Sequence, residues 1–310
     1  MKTKLVCALM ALFFISCSSD DSTPVDNTVP EQSPKKLDKV LYTNYENNGE
    51  VSSTTEYIFD DHDKILSNKS FSAEGIVTFQ SIYTYGDTGL LSKTESEDSD
   101  FDVRSKTEFT YDNSGRLIEY LYTLDTAEMS QLQYYLYTFQ YNSDGTISNN
   151  LKGYLQSNNS GQENEEIVFY TEQRTYFVDA VGNIIKRTSD SSALDMESVF
   201  DGLDLQSYSS ATGSGTITLS YGIGNALKGQ YHNMFVNSYG NRQNAVLTNS
   251  FSVLAFGSTK YVTQSVEPGD SGSIIFNYNY EFDVFGYPIK ITKYKNGGSQ
   301  PSQIVTITYK

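Results

Sequence analysis

Tryptophan is absent from the 310-residue chain, and histidine and cysteine occur twice each. With only His62 and His232 available, a transition-metal centre or a histidine-activated nucleophile has almost no material to draw on. Cys7 lies in an apolar N-terminal run, so Cys17 stands alone in the remainder and no disulfide framework holds the fold. No stretch reaches the roughly 20 apolar residues of a transmembrane helix. Basic residues are also scarce, 22 against 38 acidic ones, for a formal net charge of -16. That balance argues against nucleic acid as a partner. No glycine loop precedes a helix in a phosphate-cradling pattern, and no cofactor or metal is expected. Helical patterns are rare: Ala193–Phe200 and Thr126–Gln133 are the two stretches expected to form a turn or two.

The N-terminus carries a targeting pattern. Lys2 and Lys4 precede the apolar run Leu5 to Ile15, which ends at Ser16-Cys17. Residues 1–16 therefore read as a signal peptide. Phe14-Ile15-Ser16-Cys17 resembles the lipobox of bacterial lipoproteins, with Phe14 where leucine is usual. The resemblance implies a diacylglycerol on Cys17 and an acylated N-terminus, which together attach a chain stably to a membrane. Residues 17–36, rich in Ser, Asp and Thr with Pro24, Pro30 and Pro34, read as a polar tether. Ser18-Ser19-Asp20-Asp21 resembles the acidic signals that send some lipoproteins to the outer face of the outer membrane.

Aromatic residues are what the chain has in abundance: 25 Tyr and 17 Phe. They are organised in six copies of one pattern, beginning with Tyr57-x-Phe59-Asp60-x-x-Asp63-x-Ile65, Tyr83-x-Tyr85-Gly86-x-x-Gly89-x-Leu91 and Phe109-x-Tyr111-Asp112-x-x-Gly115-x-Leu117. Phe139-x-Tyr141-Asn142-x-x-Gly145-x-Ile147, Tyr176-x-Val178-Asp179-x-x-Gly182-x-Ile184 and Tyr280-x-Phe282-Asp283-x-x-Gly286 complete the set. Asp, Asn or Gly opens each turn, where a carboxylate accepts the backbone N–H two residues on. The glycine falls where a hairpin loop needs a left-handed residue ahead of a bulge. Asp63 stands in its place in the first copy, because Asp tolerates positive φ better than most residues. This register sets Tyr111 opposite Leu117, and likewise Phe59–Ile65, Tyr85–Leu91, Tyr141–Ile147 and Val178–Ile184, with Pro288 in the aliphatic slot of the last copy.

Phe59, Tyr85 and Tyr111 follow one another at intervals of 26 residues, enough for two strands and two turns. Residues 37–310 are therefore expected to form an all-β antiparallel meander of hairpins in one long curved sheet. Strands are expected at Lys106–Tyr111, Thr216–Tyr221, Ser273–Phe282 and Ile304–Lys310. From Asp190 to Pro268 the pattern breaks into a Gly/Asn-rich stretch, expected to cover a face of the sheet or close its curve.

Tyr111-Asp112-x-x-Gly115-Arg116-Leu117 resembles the tyrosine–aspartate (YD, Rhs-type) repeat in full, and the other copies do so in part. With its lipobox, Asn225-Ala-Leu-Lys-Gly229 and the ending Phe282-Asp283-x-x-Gly286-Tyr287-Pro288-Ile289-Lys290, the chain resembles a family of outer-membrane lipoproteins with degenerate repeats of this kind. The resemblance implies an outer-membrane, lipid-anchored protein facing the cell surface. Large Rhs-type proteins build a shell around a toxin, a role this shorter chain is not expected to share.

Chemistry-bearing motifs are few. Gly269-Asp270-Ser271-Gly272 matches the nucleophile segment of chymotrypsin-like proteases, yet it reads better as a hairpin loop. The acidic clusters Glu95, Glu97, Asp98, Asp100, Asp102 and Asp60, Asp61, Asp63 lack the spacing of a calcium loop. No catalytic residue is expected. The first expectation is a non-enzymatic surface module binding a glycan, peptide or partner protein through exposed tyrosines on an open sheet face. An envelope-assembly component working through sheet edges is the alternative, and a hydrolase using two carboxylates the third.

Overall fold

The computed structural model describes residues 34–126, 131–157, 166–190, 195–209, 216–222, 234–248, 260–269 and 272–310. The signal peptide, Cys17 and the tether lie outside the described residues. Strands β1 (Leu37–Tyr45), β2 (Val51–Phe59), β3 (Ile65–Ser72), β4 (Val77–Tyr85), β5 (Leu91–Asp98), β6 (Val103–Tyr111), β7 (Leu117–Thr126), β8 (Gln131–Tyr141) and β9 (Thr146–Ser157) come first. Then follow β10 (Glu166–Val178), β11 (Ile184–Ser189), β12 (Met196–Asp201), β13 (Asp204–Ser209) and β14 (Thr216–Tyr221). Helices α1 (Met234–Tyr239) and α2 (Arg242–Thr248) precede β15 (Val262–Gly269), β16 (Gly272–Phe282), β17 (Pro288–Lys295) and β18 (Pro301–Tyr309).

Each strand pairs antiparallel with its sequence neighbours, and β18 returns to pair with β1, so the 18-stranded sheet closes on itself. The expected meander is present, but the expected long curved sheet is a barrel. Closure rests on seven residue pairs from Leu37↔Tyr309 to Asn44↔Gln303. It removes the sheet edges through which an assembly protein would act.

The turn chemistry and register follow the sequence. Phe59↔Ile65, Tyr85↔Leu91, Tyr111↔Leu117, Tyr141↔Ile147, Val178↔Ile184 and Phe282↔Pro288 all pair as expected. Asp63, Gly89, Gly115, Gly145, Gly182 and Gly286 all take positive φ, from 59° to 92°. In the Asp-led copies the carboxylate holds two backbone N–H groups. Asp112 Oδ1 accepts from Ser114 at 2.8 Å and Arg116 at 3.0 Å. Asp60, Asp179 and Asp283 do the same with the residues two and four positions on. Gly86 has no side chain to do this, and Asn142 instead donates to Thr146 Oγ1 and Ser148 Oγ. Asp63 does more than tolerate its conformation: its Oδ1 accepts the Leu37 N–H at 2.5 Å, tying the first strand to the turn.

Because one repeat is two strands long, all six turns lie at the same end of the barrel. A ring of aliphatic residues sits just inside that end: Ile65, Leu91, Leu117, Ile147, Ile184 and Leu205 are each at most 1% exposed. The repeat tyrosines lace neighbouring hairpins together there. Tyr85 Oη donates to the Ile65 carbonyl at 2.8 Å, Tyr141 to Leu117 at 3.1 Å and Tyr309 to Pro288 at 3.0 Å. Tyr221 donates to Leu205 in the same way.

The break in the repeat is more regular than expected. Asp190–Pro268 supplies β12 to β14 and most of β15, together with two short helices. Of Ala193–Phe200, expected as a helical turn, residues 193 and 194 lie outside the described residues and Met196 to Phe200 belong to β12, where Met196 and Ser198 are buried and Glu197 and Val199 exposed. That period of two overrides local helical preference. Gln131 to Gln133, the end of the second expected turn, belongs to β8.

Candidate functional site

The helices form a plug at the turn-bearing end. Gly240 separates them at φ +84°, a left-handed conformation that favours glycine, and a Cβ there would have to push aside the tip of Leu90, 2.5 Å away. Asn241 caps α2 by accepting the Asn244 N–H at 2.8 Å. Met234, Tyr239, Ala245, Val246 and Leu247 are buried against the aliphatic ring. The plug also satisfies backbone groups that the bulged turns leave over. Ser238 Oγ accepts the Ile65 N–H at 3.0 Å. Asn244 accepts the Leu117 N–H at 3.0 Å and donates to the Gly115 and Tyr239 carbonyls at 3.0 and 3.1 Å. Gln243 donates to the Gly182 carbonyl and Arg242 to that of Leu203.

Above the plug, β3 to β8 and the helices line a half-open cavity of about 430 Å³. Its aromatic wall is Phe79, Tyr83, Phe109, Tyr120, Tyr122 and Tyr137, with Tyr239 of α1 at its base. Asn68, Ser81, Thr94, Ser96, Thr107 and Thr248 supply hydroxyl and amide groups between the rings, and none of the described lining residues is charged. The rings are held in place: Tyr120 and Tyr137 stack with centroids 4.0 Å apart, and Phe109 meets Tyr239 edge-on at 6.0 Å. Burial pushes the Tyr83 and Tyr120 phenols well above 10, so both keep their protons at neutral pH. The described residues of the wall thus present neutral ring faces and neutral hydrogen-bonding groups.

Beside this wall a buried ion pair crosses β10. Glu172, 1% exposed, accepts from Arg174 Nε and Nη2 at 2.7 Å each and from Tyr170 Oη at 2.7 Å. Burial alone would raise the Glu172 carboxyl. The Arg174 and Tyr170 hydrogen bonds, with the Arg174 and Arg187 charges, outweigh it and hold the group below its ordinary value. Every acceptor atom is occupied, so the pair reads as structural.

The outer wall is different in kind. Alternation turns Lys39, Glu56, Lys69, Glu95, Lys106, Glu108, Lys186, Glu197, Glu281 and Lys290 outward, several of them paired across strands. Lys186–Glu197 and Lys290–Glu281 are both 2.8 Å, and Lys39–Glu56 is 3.1 Å.

The residues singled out in the sequence do not converge. Asp60, Asp63, Gly86, Gly89, Asp112, Gly115, Asn142, Gly145, Asp179, Gly182, Asp283 and Gly286 are all turn residues. Gly269 pairs with Gly272 to close the β15–β16 hairpin, whose residues 270 and 271 lie outside the described residues, as does His232. That hairpin is at the opposite end of the barrel from the exposed His62. Glu95 and Glu97 lie on the outer wall, Asp98 caps its own turn, and Asp61 pairs with Lys310 at 2.9 Å. No group of three or more His, Cys, Asp or Glu among the described residues could hold a metal ion. The expected open sheet does not exist: closure turns one face, with Tyr83, Tyr120, Tyr122 and Tyr137, into the lumen and leaves Tyr134 and Tyr154 on the outer wall. The plug helices went unseen behind Asn and Gly, although Gly240-Asn241 followed by Arg-Gln-Asn-Ala-Val-Leu is a legible helix start.

Fold and site together define a closed up-and-down antiparallel barrel, plugged at one end, with an aromatic cavity in its lumen. No known family and no curated protein matches the sequence. Among solved structures, the chain is similar to a porin-like protein from Bacteroides uniformis ATCC 8492, at 12% identity and TM-score 0.35, over 88% of this chain and 96% of that one. It is similar also to a porin-like protein from Bacteroides vulgatus ATCC 8482, at 12% identity and TM-score 0.37, over 89% and 99%. A TcdB2-TccC3-TEV structure aligns at TM-score 0.18, over 84% of this chain and 11% of that one. Overlaps this loose leave function to be argued from the residues.

Proposed function

We propose that this chain is a lipid-anchored outer-membrane protein facing the cell surface, which binds a neutral glycan in its lumen and catalyses no reaction. One observation carries the reading: in a chain of net charge -16, none of the described residues lining the aromatic cavity is charged. Sugar rings stack on aromatic faces through their C–H edges and exchange hydrogen bonds with hydroxyl and amide groups. A charged ligand would find no counter-ion among the described lining residues. The volume, about 430 Å³, lies within the usual range for small-ligand pockets.

The outer wall supports attachment by lipid over insertion. A membrane barrel presents an apolar band about 25 Å tall, and an outward Lys or Arg at the midplane costs about 2–4 kcal/mol. Here outward charges recur along the strands, as in Lys39, Lys69, Lys106 and Lys186. A barrel of this kind stands in water, and the lipid on Cys17 would hold it at the membrane. Purified protein screened against neutral oligosaccharides by saturation-transfer NMR should give transfer to at least one sugar class. Silence across the panel, with co-purification of other envelope proteins, would favour the assembly role instead.

A further inference from the structure

The plugged end of the barrel is divided into two sectors. On four consecutive hairpins, from β2–β3 to β8–β9, the middle turn residues are polar: Asp61-His62, Asp87-Thr88, Asn113-Ser114 and Ser143-Asp144. On the hairpins β10–β11, β12–β13 and β16–β17 they are Ala180-Val181, Gly202-Leu203 and Val284-Phe285. These apolar tips project into solvent: Val181 is 64% exposed, Leu203 41%, Val284 93% and Phe285 44%. Turn geometry does not ask for such residues there, because the polar sector builds the same loops with Asn, Ser and Asp.

The chain enters the barrel at this apolar sector. Lys35 Nζ pairs with Asp283 at 2.6 Å and sits 5.0 Å over the Phe285 ring, and its N–H donates to Tyr287 Oη at 3.2 Å. Whatever precedes residue 34 therefore departs beside the β16–β17 turn. Cys17 lies 18 residues before Lys35, a contour of at most about 65 Å.

We infer that Val181, Leu203, Val284 and Phe285 form a docking surface for the phospholipid bilayer, dipping into its interface while the lipid on Cys17 holds the chain close. The inference rests on the lipid-anchored reading given above. Anchoring at residue 17 confines this end near the headgroups, where a few exposed apolar side chains gain by partial burial. Docking there sets the barrel upright on one sector and turns its far end, and the lumen, away from the membrane.

The absence of tryptophan makes the test clean. Chains from residue 17 onward carrying Val284→Trp or Thr88→Trp are coupled through Cys17 to a maleimide lipid in phosphatidylcholine vesicles containing a shallow nitroxide-labelled lipid. Val284→Trp should blue-shift on coupling and be quenched several-fold more than Thr88→Trp, which reports the polar sector. Equal quenching and unchanged emission at both positions would overturn the inference. Coupling supplies the anchor chemically, so natural lipidation is read separately, by fatty-acid labelling of the wild type against Cys17→Ala. A wild type that takes no label, or a Cys17→Ala variant that keeps it, would refute the anchor and leave the docking result standing.

Discussion

Asn244→Ala probes the junction on which the plugged end depends. Asn244 is 1% exposed and makes three hydrogen bonds, to the Leu117 N–H and to the Gly115 and Tyr239 carbonyls. A hydrogen bond contributes about 0.5–1.5 kcal/mol net, and a buried group left unpaired costs about 1–3 kcal/mol. Removing the amide strands one buried N–H and two carbonyls, so the loss is about 3 kcal/mol, of which the Leu117 N–H is the largest part. For a chain of this size about 1 kcal/mol lowers Tm by roughly 2–4 °C, which puts the expected fall near 6–12 °C. Asn244→Asp is expected to be at least as damaging, because it keeps the acceptor for Leu117 but sets a carboxylate against two carbonyl oxygens. Calorimetry measures the Tm, and hydrogen exchange measures the Leu117 amide directly. A variant within about 1 °C of wild type, with Leu117 still protected, would refute the argument that the plug stabilises the turns.

Three further outcomes follow from the same structure. Tyr85→Phe removes the bond to the Ile65 carbonyl and should cost about 1 kcal/mol in denaturant unfolding, whereas Tyr111→Phe, whose buried hydroxyl has no partner among the described residues, should be neutral or stabilising. Arg174→Ala should cost about 3–5 kcal/mol, since it leaves the Glu172 carboxylate buried without its cation. The Glu172 carboxyl is held below its ordinary value of 4.5, so its contribution is complete above that pH and is lost as pH falls through the lower folded value. Acid titration of Glu172→Gln should therefore show a shallower loss of stability below about pH 4.5 than wild type, and an unchanged slope would remove Glu172 from the account.

The parts of this fold that the sequence reveals are local. Six turns of one type and six cross-strand pairs could be read from five-residue loops, because Asp112 and Gly115 have little freedom once Tyr111 and Leu117 must face each other. Closure could not be read that way: β1 meets β18 across most of the chain, and neither strand carries a mark of its partner. For the same reason the facing of the rings was missed. Tyr134 and Tyr137 look alike in sequence, yet Tyr134 stacks with Tyr154 on the outer wall at 4.8 Å while Tyr137 stacks on Tyr120 inside. The tyrosine hydroxyls that lace hairpins together were also hidden, since Tyr85 reaches the carbonyl of Ile65 in the preceding hairpin. The cavity itself comes from six strands and two helices, an arrangement no single motif announces.

The central claim is that ligand meets the inner aromatic wall, and two neighbouring strands allow a paired test. Tyr122 on β7 lines the cavity, while Tyr134 on β8 faces outward. Titration calorimetry with whichever oligosaccharide the screen identifies should show Tyr122→Ala binding about tenfold more weakly, a loss of about 1.4 kcal/mol, with Tyr134→Ala indistinguishable from wild type. Unchanged affinity in Tyr122→Ala together with weakened binding in Tyr134→Ala would place the ligand on the outer wall and contradict the account.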